Sequence, residues 1–167
     1  MHTKAVISLI VIIFSIITFN GPLSYGAEFG HVQELFELRT ALTNQGNILP
    51  EKIKSVQGND VRTLERIFEM ETSTLTTIEA YFRILMIAVS TKSETNPETI
   101  KILNGWLSFI GNQCQFDIEY LDEALKETSD PNVIEQIEIA KKNSNTLAEI
   151  IKKSIVENNE LIGKTAE

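Results

Sequence analysis

The chain of 167 residues holds one cysteine, two histidines, four prolines and one tryptophan. Its single thiol, Cys114, has no partner for an intrachain disulfide, so stability must come from packing. A Ser-His-Asp triad would need an imidazole, and outside the first 26 residues the only one is His31. The Glu-x-x-His pairs of di-metal bundles, a Cys-x-x-Cys-His haem attachment motif and a Gly-rich phosphate loop are all missing. These absences argue against an enzyme, and no catalytic residue, cofactor or metal ligand set is predicted.

Basic residues are scarce too. Against 23 Asp and Glu stand 15 Lys and Arg, none in a cluster longer than the pairs Lys141-Lys142 and Lys152-Lys153. Nucleic-acid affinity comes largely from neutralised phosphates, so neither nucleic acid nor an anionic membrane is expected as a partner. A basic protein is the electrostatically favoured one.

What is present begins with an export signal. Lys4 precedes Ala5 to Phe19, a nearly unbroken apolar run without a charge, and Asn20-Gly21-Pro22 breaks any helix after it. Ser24 and Gly26 put small residues three and one before a cut after Gly26, the spacing of a secretory signal peptide. Fifteen residues rise only about 22 Å as a helix against a hydrocarbon core of about 30 Å, which argues against an uncleaved anchor. Residues 1–26 are expected to be removed and 27–167 to form one domain without stable membrane anchoring, in the periplasm or secreted. That leaves 14 bases against 23 acids, a net charge of −9.

The rest of the chain shows a helical apolar period and no stretch of strict alternation, so the fold class is all-α. A first helix is expected from Phe29 to Asn44, stopped by Gly46, with Pro50 opening a short turn from Glu51 to Gln57 that Gly58 ends. A second helix is capped by Asn59 or Asp60 and repeats apolar residues from Val61 to Val89. Its Thr-rich run after Glu71 leaves open one long helix or a restart at a capping box, Thr76-x-x-Glu79. Asn96-Pro97 and Asp130-Pro131 each combine a cap with a proline suited to the first helical turn. Gly105 and Gly111 interrupt the third helix and indicate either a kink near Asn104-Gly105 or close approach of a neighbour. Glu138 with Lys142 and Glu149 with Lys153 suit i,i+4 pairing on a solvated face. Four helices with short connections predict an up-down-up-down four-helix bundle.

Five residues stand out as interaction or ligand candidates: Glu71, Asp117, Trp106, Phe109 and Cys114. Glu71 and Asp117 each take a step where the seam calls for an apolar residue. Level counting across the hairpin puts Glu71 opposite residue 116, and across the last hairpin brings Lys142 near Asp117, where Lys141 or Lys142 could neutralise it. The two acids mark either places where the seam turns to water or a site able to bind a cation or share a proton. Cys114 reads as a small buried hydrophobe and His31 as a surface residue. Ile102, Trp106, Phe109, Phe116 and Tyr120 lie off the main seam, which makes the third helix apolar on two sides: either central, or offering a face to a partner or apolar ligand. The function expected is protein contact, as an inhibitor, immunity factor or accessory subunit. The alternative is a small-ligand or cation site between the second and third helices.

Overall fold

The computed structural model describes residues 30–164, with side chains through residue 160, and these form four helices and no strand. They are α1 (Gly30–Ser55), α2 (Asn59–Ser90), α3 (Pro97–Glu127) and α4 (Pro131–Lys164). The expected signal segment, the cut after Gly26 and Phe29 lie outside the described residues. Among the described residues no helix is long and apolar enough to cross a membrane.

Each helix buries a seam whose residues step by three and four. In α2 the seam is Leu64, Ile67, Glu71, Ile78, Tyr81, Leu85 and Ala88, and in α3 it runs from Ile100 through Leu107, Cys114 and Asp117 to Ala124. A repeat of 3.5 residues keeps one stripe facing the neighbours over the full length of a helix, as in coiled coils. α1 packs on α2 and α4, and α3 on α4 and α2. α2 and α4 also touch across the centre, whereas α1 and α3 do not meet. α3 therefore buries one stripe and leaves its opposite side without a helical neighbour.

The core falls into two apolar clusters. One is built around Leu35, Tyr81, Leu107 and Leu147, and the other around Leu49, Leu64, Leu121 and Ile137. Buried polar side chains come from all four helices: Gln45, Glu71 and Asp117 lie where their helices pass from one cluster to the other, and Gln136 lies beside Ile137 of the second. Gln45 Nε2 donates to Gln136 Oε1 at 2.9 Å, so this pair satisfies part of its own polarity.

Several sequence expectations need correction. α1 does not stop at Gly46, nor does Pro50 open a separate turn; the helix runs through both to Ser55. The seam explains this, because Gln45 and Leu49 continue it inward and Val56 is buried just past the end of the helix. The start of α2 is capped by neither Asn59 nor Asp60. Gly58 holds that position with φ +65°, a conformation favouring glycine, and Asp60 instead accepts a hydrogen bond from the Thr128 hydroxyl at 2.7 Å. α2 is continuous through its threonines, whose Thr76 and Thr77 hydroxyls return to the carbonyls of Thr72 and Ser73 and do not break it.

The start of α3 is as expected, with Asn96 accepting from the Glu98 and Thr99 amides. The helix is unbroken at Gly105. Gly111 faces α4, where a Cβ would stand 3.5 Å from Ile151 Cγ2. Neither expected i,i+4 ion pair forms among the described residues; Lys153 crosses to Glu34 of α1 instead.

Candidate functional site

Three regions gather chemistry: a sealed network around His31, an acid pair at mid-height, and the outer face of α3.

His31 is not a surface residue, since only 1 % of it is exposed. Its Nδ1 lies 2.7 Å from Glu157 Oε2 and its Nε2 2.7 Å from the Tyr81 hydroxyl. Glu157 also accepts the His31 backbone N–H at 3.3 Å, so a carboxylate of α4 occupies the positive end of α1. Burial lowers the His31 pKa, against the pull of Glu157. The neutral ring that results donates from Nδ1 to Glu157 and accepts the Tyr81 hydroxyl proton at Nε2. Burial likewise raises the Tyr81 pKa, opposed by a hydrogen bond with Asn158. Asn158 Nδ2 donates to Asn104 Oδ1, whose own amide donates to Asn159. Carboxylate, imidazole and hydroxyl in a row have the order of a nucleophilic triad, but Tyr81 is fully buried and presents no atom to a substrate. The network ties α1, α2, α3 and α4 together at one end of the bundle. Its sequence signal lay in the steps of four and three joining His31 to Leu35, Leu38 and Leu42.

Glu71 and Asp117 are on the seams of α2 and α3, with 6 % and 4 % of their surface exposed. They do not mark places where the seam turns to water. Both line one cavity of about 10 Å³, together with Thr74 of α2 and with Asn143 and Ser144 of α4. Asn143 Nδ2 donates to Glu71 Oε1 at 2.9 Å, while Glu71 Oε2 is buried without a hydrogen-bond partner. Burial pushes the Glu71 carboxyl up to about 7 against that one hydrogen bond. Asp117 is raised for the same reason, opposed by a 2.9 Å hydrogen bond from Gln113 Nε2 and by the charge of Arg66. The expected neutralisation by Lys141 or Lys142 does not occur, because Lys141 pairs with Asp122. Among the described residues no three His, Cys, Asp or Glu side chains converge as metal ligands.

Cys114 is a buried core residue of α3, and burial together with the charge of Asp117 pushes its thiol up to about 12. At that value the thiolate is negligible near neutral pH. His31 is engaged elsewhere, with Tyr81 and Glu157.

The outer face of α3 carries Ile102, Phe109 and Phe116, exposed by 55 %, 58 % and 68 %. They are seven residues apart and each follows a seam residue by two, so they form a line on the side away from the core. Trp106 and Tyr120 flank this line but are half-buried against the two core clusters. Trp106 meets Phe109 edge to face at 6.3 Å, and the Arg66 guanidinium lies 6.0 Å from the centre of the Tyr120 ring. The sequence-predicted residues thus divide: Glu71, Asp117 and Cys114 are inside, Phe109 is outside, and Trp106 joins the two zones. No protein-family model, no curated protein and no solved structure matches this chain.

Proposed function

We propose that the protein is an exported, up-down-up-down helical bundle without enzymatic activity that works by contact with a basic protein, as an inhibitor, immunity factor or accessory subunit, and that α3 presents the contact surface. The observation that carries this reading is the line Ile102, Phe109 and Phe116, three large apolar side chains more than half exposed on the side of α3 opposite its seam. Together they offer roughly 300 Å² of apolar surface, the size of patch that marks an interaction site on a soluble domain. Burying it would contribute about 7 kcal/mol before the losses of association.

Charge selects the occupant. The exposed ionic groups of α3 are Glu98, Glu119, Glu123 and Glu127 against Lys101 and Lys126, and Lys126 is already paired with Glu123. A second copy would set like charge against like, on a chain of net charge −8. A partner with an apolar patch ringed by Lys and Arg meets the opposite sign. Export is supported by Lys4, the apolar run Ala5 to Phe19 and the spacing of Ser24 and Gly26. A passive role is supported by the burial of His31, Tyr81 and Cys114, the side chains best suited to acid-base or nucleophilic work.

The test compares the chain with its Phe109→Ser/Phe116→Ser variant as bait in an envelope extract. The reading requires a captured protein of basic charge, lost with the variant, whose affinity falls at least tenfold between 50 and 300 mM salt by screening. Equal capture by the variant, salt-independent binding or self-association of the chain would refute it.

A further inference from the structure

The cavity at mid-height is separate from the docking face of α3, and its chemistry points elsewhere. Two carboxylates, two hydroxyls and an amide line it, from Glu71, Asp117, Thr74, Ser144 and Asn143, and Leu42, Met70 and Ala140 close the rest of its wall. Its volume of about 10 Å³ is that of one water position. We propose that this cavity is a binding site for a single hard cation, calcium in preference to magnesium or sodium, held by oxygen atoms of α2, α3 and α4.

The first support is an electrostatic deficit. Glu71 is 6 % exposed, and its Oε2 has no hydrogen-bond partner. Only burial and the Asn143 hydrogen bond govern its titration, with no cationic side chain offsetting its charge. Asp117, on the facing helix, is only partly offset by Arg66. A buried carboxylate oxygen without a donor is strongly unfavourable, and a cation beside it removes the deficit as a hydrogen bond would.

The donor set then selects the ion. The five polar lining side chains can present oxygen, with Glu71 Oε1 and Asp117 Oδ1 each already accepting one amide, and oxygen ligands suit hard cations, whereas copper, zinc and iron sites draw on imidazole or thiolate. Cys114 is near Asp117 but stays protonated, with its thiol near 12. Space decides between the hard ions. Magnesium sheds its waters reluctantly and a single water position cannot hold its hydrated form, whereas calcium accepts irregular sets of protein oxygens at about 2.3–2.6 Å. Two carboxylates match the charge of a divalent ion better than that of sodium. With only two formal charges in the set, affinity belongs to the weak range, Kd about 10⁻⁴ to 10⁻³ M.

The experiment is thermal unfolding of the full chain, with calorimetric titration of CaCl₂, at pH 8 after chelator treatment. At 10 mM CaCl₂ the Tm should rise by about 5 °C, while MgCl₂ and NaCl at matched ionic strength should give less than a third of that. At pH 5 the calcium response should vanish, because Glu71 then carries a proton. Glu71→Gln should unfold at a higher temperature than the parent without calcium, which shows that it folds, and should not respond to calcium. Asp117→Asn should weaken binding about tenfold. A parent chain that calcium leaves unmoved at pH 8, a Glu71→Gln variant that responds as the parent does, or equal shifts from all three salts would each overturn the assignment.

Discussion

Two polar regions interrupt the seams of this bundle, and they are built on opposite terms. Around His31, donors and acceptors alternate: Tyr81 donates to His31, His31 to Glu157, and Glu157 also accepts the backbone of α1, so that the one atom left over is a neutral amide oxygen, Asn158 Oδ1. Around Glu71, one amide serves one carboxylate oxygen and the second oxygen is left over. A network that leaves over only a neutral oxygen can still fix register and hold helices together, while one that leaves over a carboxylate oxygen opposes folding unless something else enters. Burial by itself therefore says little about whether a polar residue stabilises the fold.

The two regions also answer pH in opposite directions. His31 is lowered from the ordinary 6.5, so the unfolded chain binds a proton before the fold does, and stability falls as pH drops through and below that value. Glu71 is raised from 4.5 to about 7. Between those values the fold keeps a proton that the unfolded chain has released, so stability drains as pH climbs through the window and the deficit is complete above 7.

The comparison can be broken most sharply at His31. His31→Ala should cost about 3–4 kcal/mol, because it opens a cavity and strands the Tyr81 hydroxyl; the denaturant midpoint at pH 7.5 reads this. A loss below about 1 kcal/mol would show that the network contributes little. Next in size and opposite in sign, Glu71→Gln should gain about 2–3 kcal/mol at pH 8 without calcium and almost nothing at pH 4, followed by unfolding curves across pH 4–8. A pH-independent difference would mean that Glu71 is not the titrating group.

A third, kinetic effect uses Cys114, one helical turn from Asp117. Its alkylation in the folded chain should be at least 100-fold slower than in denaturant, and slower by a further few-fold in Glu71→Gln, because relieving the acid layer makes local opening rarer. Equal rates in both variants would place the opening elsewhere. The smallest effect belongs to the outer face: Phe109→Ser with Phe116→Ser should change stability by no more than about 0.5 kcal/mol, since neither ring is in the core.

Much of the fold was legible because apolar spacing and caps are local. Asn96-Pro97 and Asp130-Pro131 start their helices where the cap chemistry says they should, and Leu107, Ile137 and Leu147 are buried as their period requires. Local signals failed where packing overrode them. Gly46 read as a stop and Pro50 as the opening of a turn, yet α1 continues because Gln45 and Leu49 still find a core to enter. The expected pair of Glu149 with Lys153 gave way to Lys153 with Glu34 of α1, and the pair of Glu138 with Lys142 does not form, as solvated ion pairs contribute little to hold a geometry.

Of the candidate residues, Glu71 and Asp117 were visible because each breaks an apolar row, and Cys114 because it continues one. His31 was misread as a surface residue, because a lone imidazole near the start of a helix carries no mark of what will face it. Its partners lie 50 and 126 positions away in the chain.

The sequence alone determined that the chain is helical, where most of its helices begin and which stripes they hide, since period and capping are properties of neighbouring residues. Only the tertiary structure decided which buried polar groups are matched and which are left wanting, because a hydrogen bond across a bundle depends on the height and rotation at which separate helices come to rest against one another.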